Sequence, residues 1–152
     1  MITTIRTNSG NEDFKELVKH LDKELAIRDG SEHAFYAQFN KIDTIRHVVI
    51  VYHDKKPIGC GAMKNLLPDC MEIKRMYTTP ENRGKGIART VLNELEKWAL
   101  ELSYQRCLLE TGKKQPEAIA LYRKCGYKVV KNYGQYAGVE NSVCFEKKLG
   151  VI

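Results

Sequence analysis

The sequence predicts one domain of mixed α/β architecture, in which a single sheet carries helices on its faces. Strand-like and helix-like patterns alternate in the order β-α-α-β-β-β-α-β-α-β-β, without a repeat, a low-complexity tract or a linker. Helical connections make some neighbouring strands parallel, and hairpin turns make others antiparallel. The 152 residues are enough for one domain whose core needs neither a disulfide nor a metal.

The N-terminal region is predicted to form one strand and two helices. After the strand, either Ser9 or Asn11 could cap the first helix, which should run to about Ile27, before the stop signal Asp29-Gly30. A second, short helix is predicted over residues 32–39. The apolar face of the first helix consists of Phe14, Leu17, Val18, Leu21 and Leu25.

Three strands are predicted next. Residues 45–53 are rich in β-branched side chains, and a tight turn at residues 54–56 returns the chain as a partner strand over residues 57–66. Within that partner strand, the small residues 59–62 predict close backbone packing. Residues 71–78 form the third strand.

A glycine-bearing loop and a strongly amphipathic helix follow Pro80. The apolar face of this helix repeats at Ile87, Val91, Leu95, Trp98 and Leu102. The remaining elements are a strand, a helix that closes at Gly126, and two final strands, over residues 107–111, 115–125, 127–131 and 142–149.

Composition and charge narrow the class of protein. The net charge is +6, but the lysines are spread along the chain, and neither a basic stripe nor a face of stacking aromatics points to nucleic acid. The five cysteines are odd in number and widely spaced, which predicts reduced thiols in place of a disulfide framework or a zinc site. Without a signal-like or membrane-spanning apolar stretch, we expect a cytoplasmic protein that binds no membrane and no metal.

The segment Arg83-Gly84-Lys85-Gly86-Ile87-Ala88 is the strongest candidate for a binding site. It opens a helix, where unpaired N–H groups and the helix dipole favour an anion. The glycines allow close approach of the backbone, and Arg83, Lys85 and Arg89 add positive charge, so a diphosphate fits. Taken alone, glycines before a helix often only mark the boundary between a loop and the helix. The P-loop motif and the dinucleotide-binding motif are both incomplete here.

Three motifs in a fixed order make the chain resemble the GNAT superfamily of N-acetyltransferases. Arg83, Gly86 and Ala88 match the family's phosphate motif, Gln/Arg-x-x-Gly-x-Gly/Ala. Residues 72–80 resemble its central strand, and residues 118–127 resemble its segment A-x-x-L-Y-x-x-x-G-F/Y. The resemblance implies one N-acetyltransferase domain over residues 1–152, with a mixed, mostly antiparallel sheet of about six to seven strands and about four helices. Two central strands would splay apart and form the acetyl-CoA cleft.

The resemblance also implies that acetyl-CoA is a co-substrate, held largely by main chain. Met76 would offer its N–H to the acetyl carbonyl, and the loop would cradle the diphosphate. Gln115 stands where many relatives have asparagine, so its contact with pantetheine depends on one further methylene. The implied binding residues are Met76, Tyr77, Thr78, Arg83, Gly84, Lys85, Gly86, Ile87, Ala88, Arg89 and Gln115.

Two residues are implied to carry the chemistry. Tyr122 would sit beside the coenzyme sulfur and protonate the departing thiolate, although it could instead only pack its helix against the sheet. Glu72 would take the proton of the amine, directly or through water. Its alternative role is structural or substrate-orienting, with a water chain as the base.

The acceptor pocket is less well defined by the sequence. Tyr133 and Tyr136 in the last loop and Phe35 in the N-terminal region are candidates, because aromatic side chains combine an apolar face with, in tyrosine, a hydroxyl. We expect a small-molecule amine as the acceptor. A protein or peptide amine is an alternative, as is a non-catalytic acyl-CoA sensor, and a homodimer is one expected assembly.

Overall fold

The computed structural model describes residues 1–30 and 44–150, which form seven strands and three α-helices. Two short 3₁₀ turns lie at Pro80–Asn82 and Gly134–Tyr136. The helices are α1 (Glu12–Asp29), α2 (Ile87–Glu101) and α3 (Pro116–Lys124). The strands are β1 (Ile2–Thr7), β2 (His47–His53), β3 (Lys56–Leu67), β4 (Cys70–Thr78), β5 (Arg106–Gly112), β6 (Lys128–Val130) and β7 (Ser142–Lys148).

All seven strands belong to one sheet in the order β1-β2-β3-β4-β5-β7-β6. Only β4 and β5 pair in parallel, and the other neighbours are antiparallel. The predicted mixed, mostly antiparallel sheet is therefore confirmed. The described residues contain three α-helices where about four were expected, and the helix predicted over residues 32–39 lies outside them.

The first helix begins at Asn11, which decides between the two predicted caps. The Asn11 side-chain oxygen accepts hydrogen bonds from the backbone N–H groups of Asp13 and Phe14, at 2.9 and 3.1 Å. Ser9 has a different task, because its hydroxyl accepts a hydrogen bond from the Ile45 N–H at 2.9 Å. The helix runs slightly past its predicted end and stops before Gly30, whose φ is +56°.

The sheet separates two layers of core. Alternate residues of β2 point to opposite faces, so that Val48 and Ile50 pack towards α1, whereas Val49 and Val51 join the core under α2 and α3. None of the helices in the described residues is long and apolar enough to cross a membrane. The cysteines are all free thiols.

Close packing along β3 occurs where the small residues predicted it. A Cβ added at Gly61 would lie 2.5 Å from Met76 Sδ and 2.6 Å from Val91 Cγ1. A Cβ at Gly59 would lie 2.6 Å from Ile87 Cγ2. These glycines let α2 lie directly against the sheet, and α2 in turn fixes the position of the loop before it.

Candidate active site

A cavity opens where β4 and β5 part. The two strands pair only from Cys70–Arg106 to Glu72–Leu108. Beyond that point β5 continues along β7, and β4 continues along β3. The cavity between them has a volume of about 130 Å³. Its walls come from α1 (Leu21, Leu25), β4 (residues 72–76), β5 (residues 110–112), α3 with its cap (Gln115, Ala118, Tyr122) and Tyr136.

A β-bulge in β4 divides the side chains between the two faces of the sheet. The register with β3 shifts between Cys60 and Ala62, so that Gly61 lies opposite both Arg75 and Met76. Arg75 takes a left-handed conformation, with φ +61°. As a result, Arg75 reaches α1 on one face, whereas Met76 packs towards α2 on the other. Neither ladder, with β3 or with β5, pairs Met76 within the described residues.

Glu72 and Tyr133, which are distant in sequence, meet at the cavity. Glu72 is 7% exposed, and its Oε2 accepts a hydrogen bond of 2.6 Å from the Tyr133 hydroxyl. Burial and the nearby negative charge of Glu72 raise the pKa of Tyr133, so this phenol stays protonated and donates. Lys74 Nζ lies 4.0 Å from the other Glu72 oxygen, and burial lowers the pKa of this lysine.

Tyr122 stands on the opposite wall of the cavity. It is 7% exposed, and its ring lies 5.9 Å from that of Tyr127 and 6.0 Å from that of Phe145. Burial raises the pKa of the Tyr122 phenol above its ordinary value. The residue therefore packs α3 against the sheet and also keeps a proton that it can donate into the cavity.

The loop before α2 has the backbone of an anion cradle. Gly84 and Gly86 have φ values of +77° and +81°, a backbone conformation that residues with a side chain rarely adopt. An added Cβ at either position would meet no protein atom within 4 Å, so the conformation, and not crowding, requires glycine. Gly86 caps α2 without a side-chain hydrogen bond, and Lys85 and Arg89 beside it are exposed. A negatively charged group fits this helix start.

Arg83 has protein partners for its side chain. Its Nε donates to the Thr78 carbonyl at 2.9 Å, and its Nη2 pairs with Glu24 Oε2 at 2.7 Å. The guanidinium also lies 5.5 Å from the centre of the Tyr77 ring. The Arg83 side chain thus ties the loop to β4 and α1, and a contact with phosphate remains a prediction.

Five further predicted site residues differ in how the structure places them. Gln115 and Tyr136 line the cavity, and the Tyr136 ring meets that of Tyr133 edge to face at 5.8 Å. Tyr77 and Ile87 have buried side chains, so that only their main chain is available to a ligand. Phe35 lies outside the described residues.

Arg75 and Glu110 are among the cavity residues that the sequence-based prediction missed. Arg75 is buried against α1, and Glu110 Oε2 accepts a hydrogen bond of 2.7 Å from the Ser142 hydroxyl. One signal for Arg75 exists in the sequence, because Lys74-Arg75 interrupts the alternation of strand β4 where the bulge occurs. Across residues 1–30 and 44–150, no group of His, Cys, Asp and Glu side chains is arranged to hold a metal ion.

Comparison with known proteins adds a consistent set of similarities. Residues 14–127 match the family described as Acetyltransferase (GNAT) family. The chain is 37% identical to the uncharacterized N-acetyltransferase YsnE of Bacillus subtilis over 93 residues, 60% of this chain and 62% of that protein. It is 38% identical to the IAA acetyltransferase of Azospirillum brasilense over 93 residues, 60% of this chain and 61% of that protein. Both matches span less than two thirds of the relative's length.

A solved structure extends the similarity to the whole fold. A Klebsiella pneumoniae protein assigned as an acyl-CoA N-acyltransferase is 27% identical to this chain, with a TM-score of 0.81. The superposition covers 98% of each chain. The N-terminal and C-terminal elements are therefore shared as well as the central strands.

Proposed function

The chain belongs to the acetyltransferase (GNAT) family, and from that premise we propose that it transfers the acetyl group of acetyl-CoA directly to a primary amine of a small molecule. The observation that carries this proposal is the cavity between β4 and β5, with the Glu72 carboxylate on one wall and the Tyr122 phenol on the other. The names of the relatives, N-acetyltransferase and acyl-CoA N-acyltransferase, support the same reaction class.

The donor fits the loop and the strand edge together. Main-chain N–H groups around Gly84 and Gly86, at the start of α2, would hold the diphosphate, with Lys85 and Arg89 adding charge. Beyond Glu72 the β5-facing edge of β4 has no ladder partner within the described residues. Such an edge can pair with the amides of an extended pantetheine arm, as with an added strand.

The chemistry needs two proton transfers on opposite walls. Glu72, directly or through a water, accepts the proton of the attacking amine, and the Met76 N–H donates to the developing oxyanion. The amine nitrogen forms a bond with the acetyl carbon as the carbon–sulfur bond breaks. Tyr122 then donates its proton to the departing sulfur and recovers one from solvent. No covalent enzyme intermediate is required.

A thiol-release assay tests the proposal. Purified protein is mixed with acetyl-CoA and a panel of small amines, amino acids, antibiotics and peptides, and free CoA is followed with time. We expect turnover on small amines and a loss of about 100-fold in kcat for Glu72→Gln, the usual scale for removing a general base. Full turnover in Glu72→Gln would refute the assigned base.

The same assay separates the alternatives. Turnover on peptides alone would make the acceptor a protein amine. Calorimetry that shows tight CoA binding, without turnover on any amine, would make the protein an acyl-CoA sensor. We also propose a cytoplasmic location, where acetyl-CoA and reduced thiols are expected, and a homodimer. Cell fractionation and light scattering check these two points.

A further inference from the structure

Arg75 presents an incompletely satisfied guanidinium in the wall of the cavity. Its side chain is 2% exposed, and the residue belongs to the lining between β4 and β5. Nη1 donates to Asp22 Oδ1 of α1 at 2.9 Å. Nε and Nη2 are buried and have no hydrogen-bond partner among the described residues. Buried N–H donors without partners are costly, and a guanidinium is an especially expensive group to leave in this state.

The two unsatisfied nitrogens form one edge of the guanidinium. Nε and Nη2 carry parallel N–H bonds, and this fork matches the two oxygens of a carboxylate. Asp22 occupies the remaining nitrogen and fixes the plane of the group. The strained left-handed backbone at Arg75 turns the side chain to this face. The bulge directs the Arg75 side chain, the ion pair with Asp22 holds it, and Nε and Nη2 are left without a partner among the described residues. Together these features suit the binding of a planar anion.

Glu72 lies on the same face of the sheet as Arg75. Lys74 pairs with Ala62, which packs under α1, and Glu72 stands two residues before Lys74 on the alternating strand. Arg75 follows Glu72 by three residues, which corresponds to about 10 Å along a strand. Because both side chains are long and lie on one face, they can approach the two ends of a single acceptor. An acceptor with an amine at one end and a carboxylate at the other would satisfy both residues.

We propose that the Nε–Nη2 edge of Arg75 binds a carboxylate of the acceptor, so that the protein selects amines that also carry an acid group, as amino acids do. This selectivity rests on the proposed acetyl transfer for its place in catalysis. Arg75 is a specificity-determining residue in this scheme, and Asp22 is a positioning residue that acts through it.

The test compares each acceptor acid with its own carboxamide. Amino acids of the kinds found in proteins, and their carboxamides, are assayed as acceptors with the wild type, Arg75→Met, Arg75→Lys and Asp22→Asn. Wild type should prefer the acid, and Arg75→Met should lower kcat/KM for the acid by about 10-fold to 100-fold, the scale of a charge-assisted pair, with the carboxamide little affected. Arg75→Lys should recover only part of the preference, because lysine lacks the fork. Asp22→Asn should raise KM for the acid and leave kcat unchanged.

Arg106→Met is the matched control. Arg106 also pairs with carboxylates, those of Asp69 and Glu146 at 3.2 and 2.8 Å, but it is not part of the cavity lining. Its removal should leave the acid-to-carboxamide ratio unchanged. Thermal melting and CoA calorimetry report whether each variant is folded. If Arg75→Met does not fold, the wild-type ratio and the Asp22→Asn and Arg75→Lys variants decide the question.

The outcomes separate this inference from the proposed function. Equal use of acids and carboxamides by the wild type, or a preference that survives in the Arg75 variants, overturns the carboxylate site and leaves acetyl transfer intact. If no amine is acetylated, calorimetry of the amino acids with CoA-loaded protein replaces the kinetic readout. Arg75-dependent binding of the acid then supports the carboxylate site while the proposed transfer fails, and absence of such binding overturns both.

Discussion

The two walls of the cavity are built in different ways. We define the donor wall as the cavity residues Met76 and Tyr122 together with the loop of residues 83–89, which is not part of the lining but leads into α2 and carries local glycine signals. We define the acceptor wall as the cavity residues Glu72 and Arg75 together with Tyr133, which is not part of the lining but donates to Glu72. This wall depends on contacts with distant parts of the chain, including Asp22 of α1. A constant ligand can be held by main chain, whereas a particular acceptor needs side chains brought together by the fold.

Removal of the Tyr122 hydroxyl should have the largest effect. Tyr122→Phe keeps the ring that packs α3 and removes the proposed acid, so kcat should fall by about 100-fold to 10,000-fold, with little change in the KM for acetyl-CoA. Tyr104→Phe is the control, because the Tyr104 hydroxyl accepts a hydrogen bond from Asn65 at 2.9 Å, away from the cavity. Unchanged kcat in Tyr122→Phe would reduce the residue to a packing role.

Gly61→Ala should disturb both walls, because Gly61 lies opposite the β4 bulge at Arg75 and Met76, which belong to different walls. The new Cβ would clash with Met76 and Val91, and the free energy of unfolding should fall by about 1–3 kcal/mol. Denaturant unfolding measures this change. Gly112→Ala is the control, since its Cβ would meet Gln115 Nε2 at an ordinary 3.7 Å. Equal stability of the two variants would mean that α2 can move away from the sheet.

Gly86→Ala should weaken the donor wall alone. A non-glycine residue at φ +81° costs about 1–2 kcal/mol, so the free loop should relax out of this conformation. Binding must then restore it, which should raise the KM for acetyl-CoA by roughly 10-fold and leave the KM for the acceptor unchanged. Gly30→Ala imposes similar strain at φ +56°, at the end of α1 and outside the loop. If both variants changed the KM for acetyl-CoA equally, the loop would not be the phosphate cradle.

Tyr133→Phe should weaken the acceptor wall alone. Loss of the 2.6 Å hydrogen bond to Glu72 should lower kcat/KM for the acceptor by about 10-fold, without a change in the KM for acetyl-CoA. Tyr52→Phe is matched, because Tyr52 donates to the Asp13 carboxylate at 2.7 Å, outside the cavity. A rise in the KM for acetyl-CoA in Tyr133→Phe would contradict the separation of the walls.

The pH profile should show the smallest effect. Burial raises the pKa of Tyr122, so the phenol loses its proton only above the ordinary tyrosine value of about 10. The ratio of wild-type to Tyr122→Phe kcat should therefore stay constant from about pH 7 to about pH 9.5. A ratio that collapses within this range would show that the pKa of Tyr122 lies below the ordinary tyrosine value, and would argue against burial of its hydroxyl.

Most of the elements could be predicted because their signals are local. Asn11 was one of two proposed caps, and the small residues of β3 correctly indicated close packing. The bulge at Arg75 was not foreseen, since a register shift depends on the partner strand opposite. For the same reason the pairing of Arg75 with Asp22, 53 residues earlier, could not be inferred from spacing.

The sequence by itself determined the family, the glycine-bearing loop at the start of α2 and the positions of Glu72 and Tyr122 on their elements. Each of these depends on residue type and short-range spacing, which fix backbone conformation and hydrophobic period. Only the tertiary structure decided that Tyr133 contacts Glu72, that Arg83 pairs with Glu24, and that Arg75 is buried in the cavity lining with two guanidinium nitrogens that have no partner among the described residues. These features depend on where β4 parts from β5 and how closely α1 packs, and such long-range geometry has no local signature.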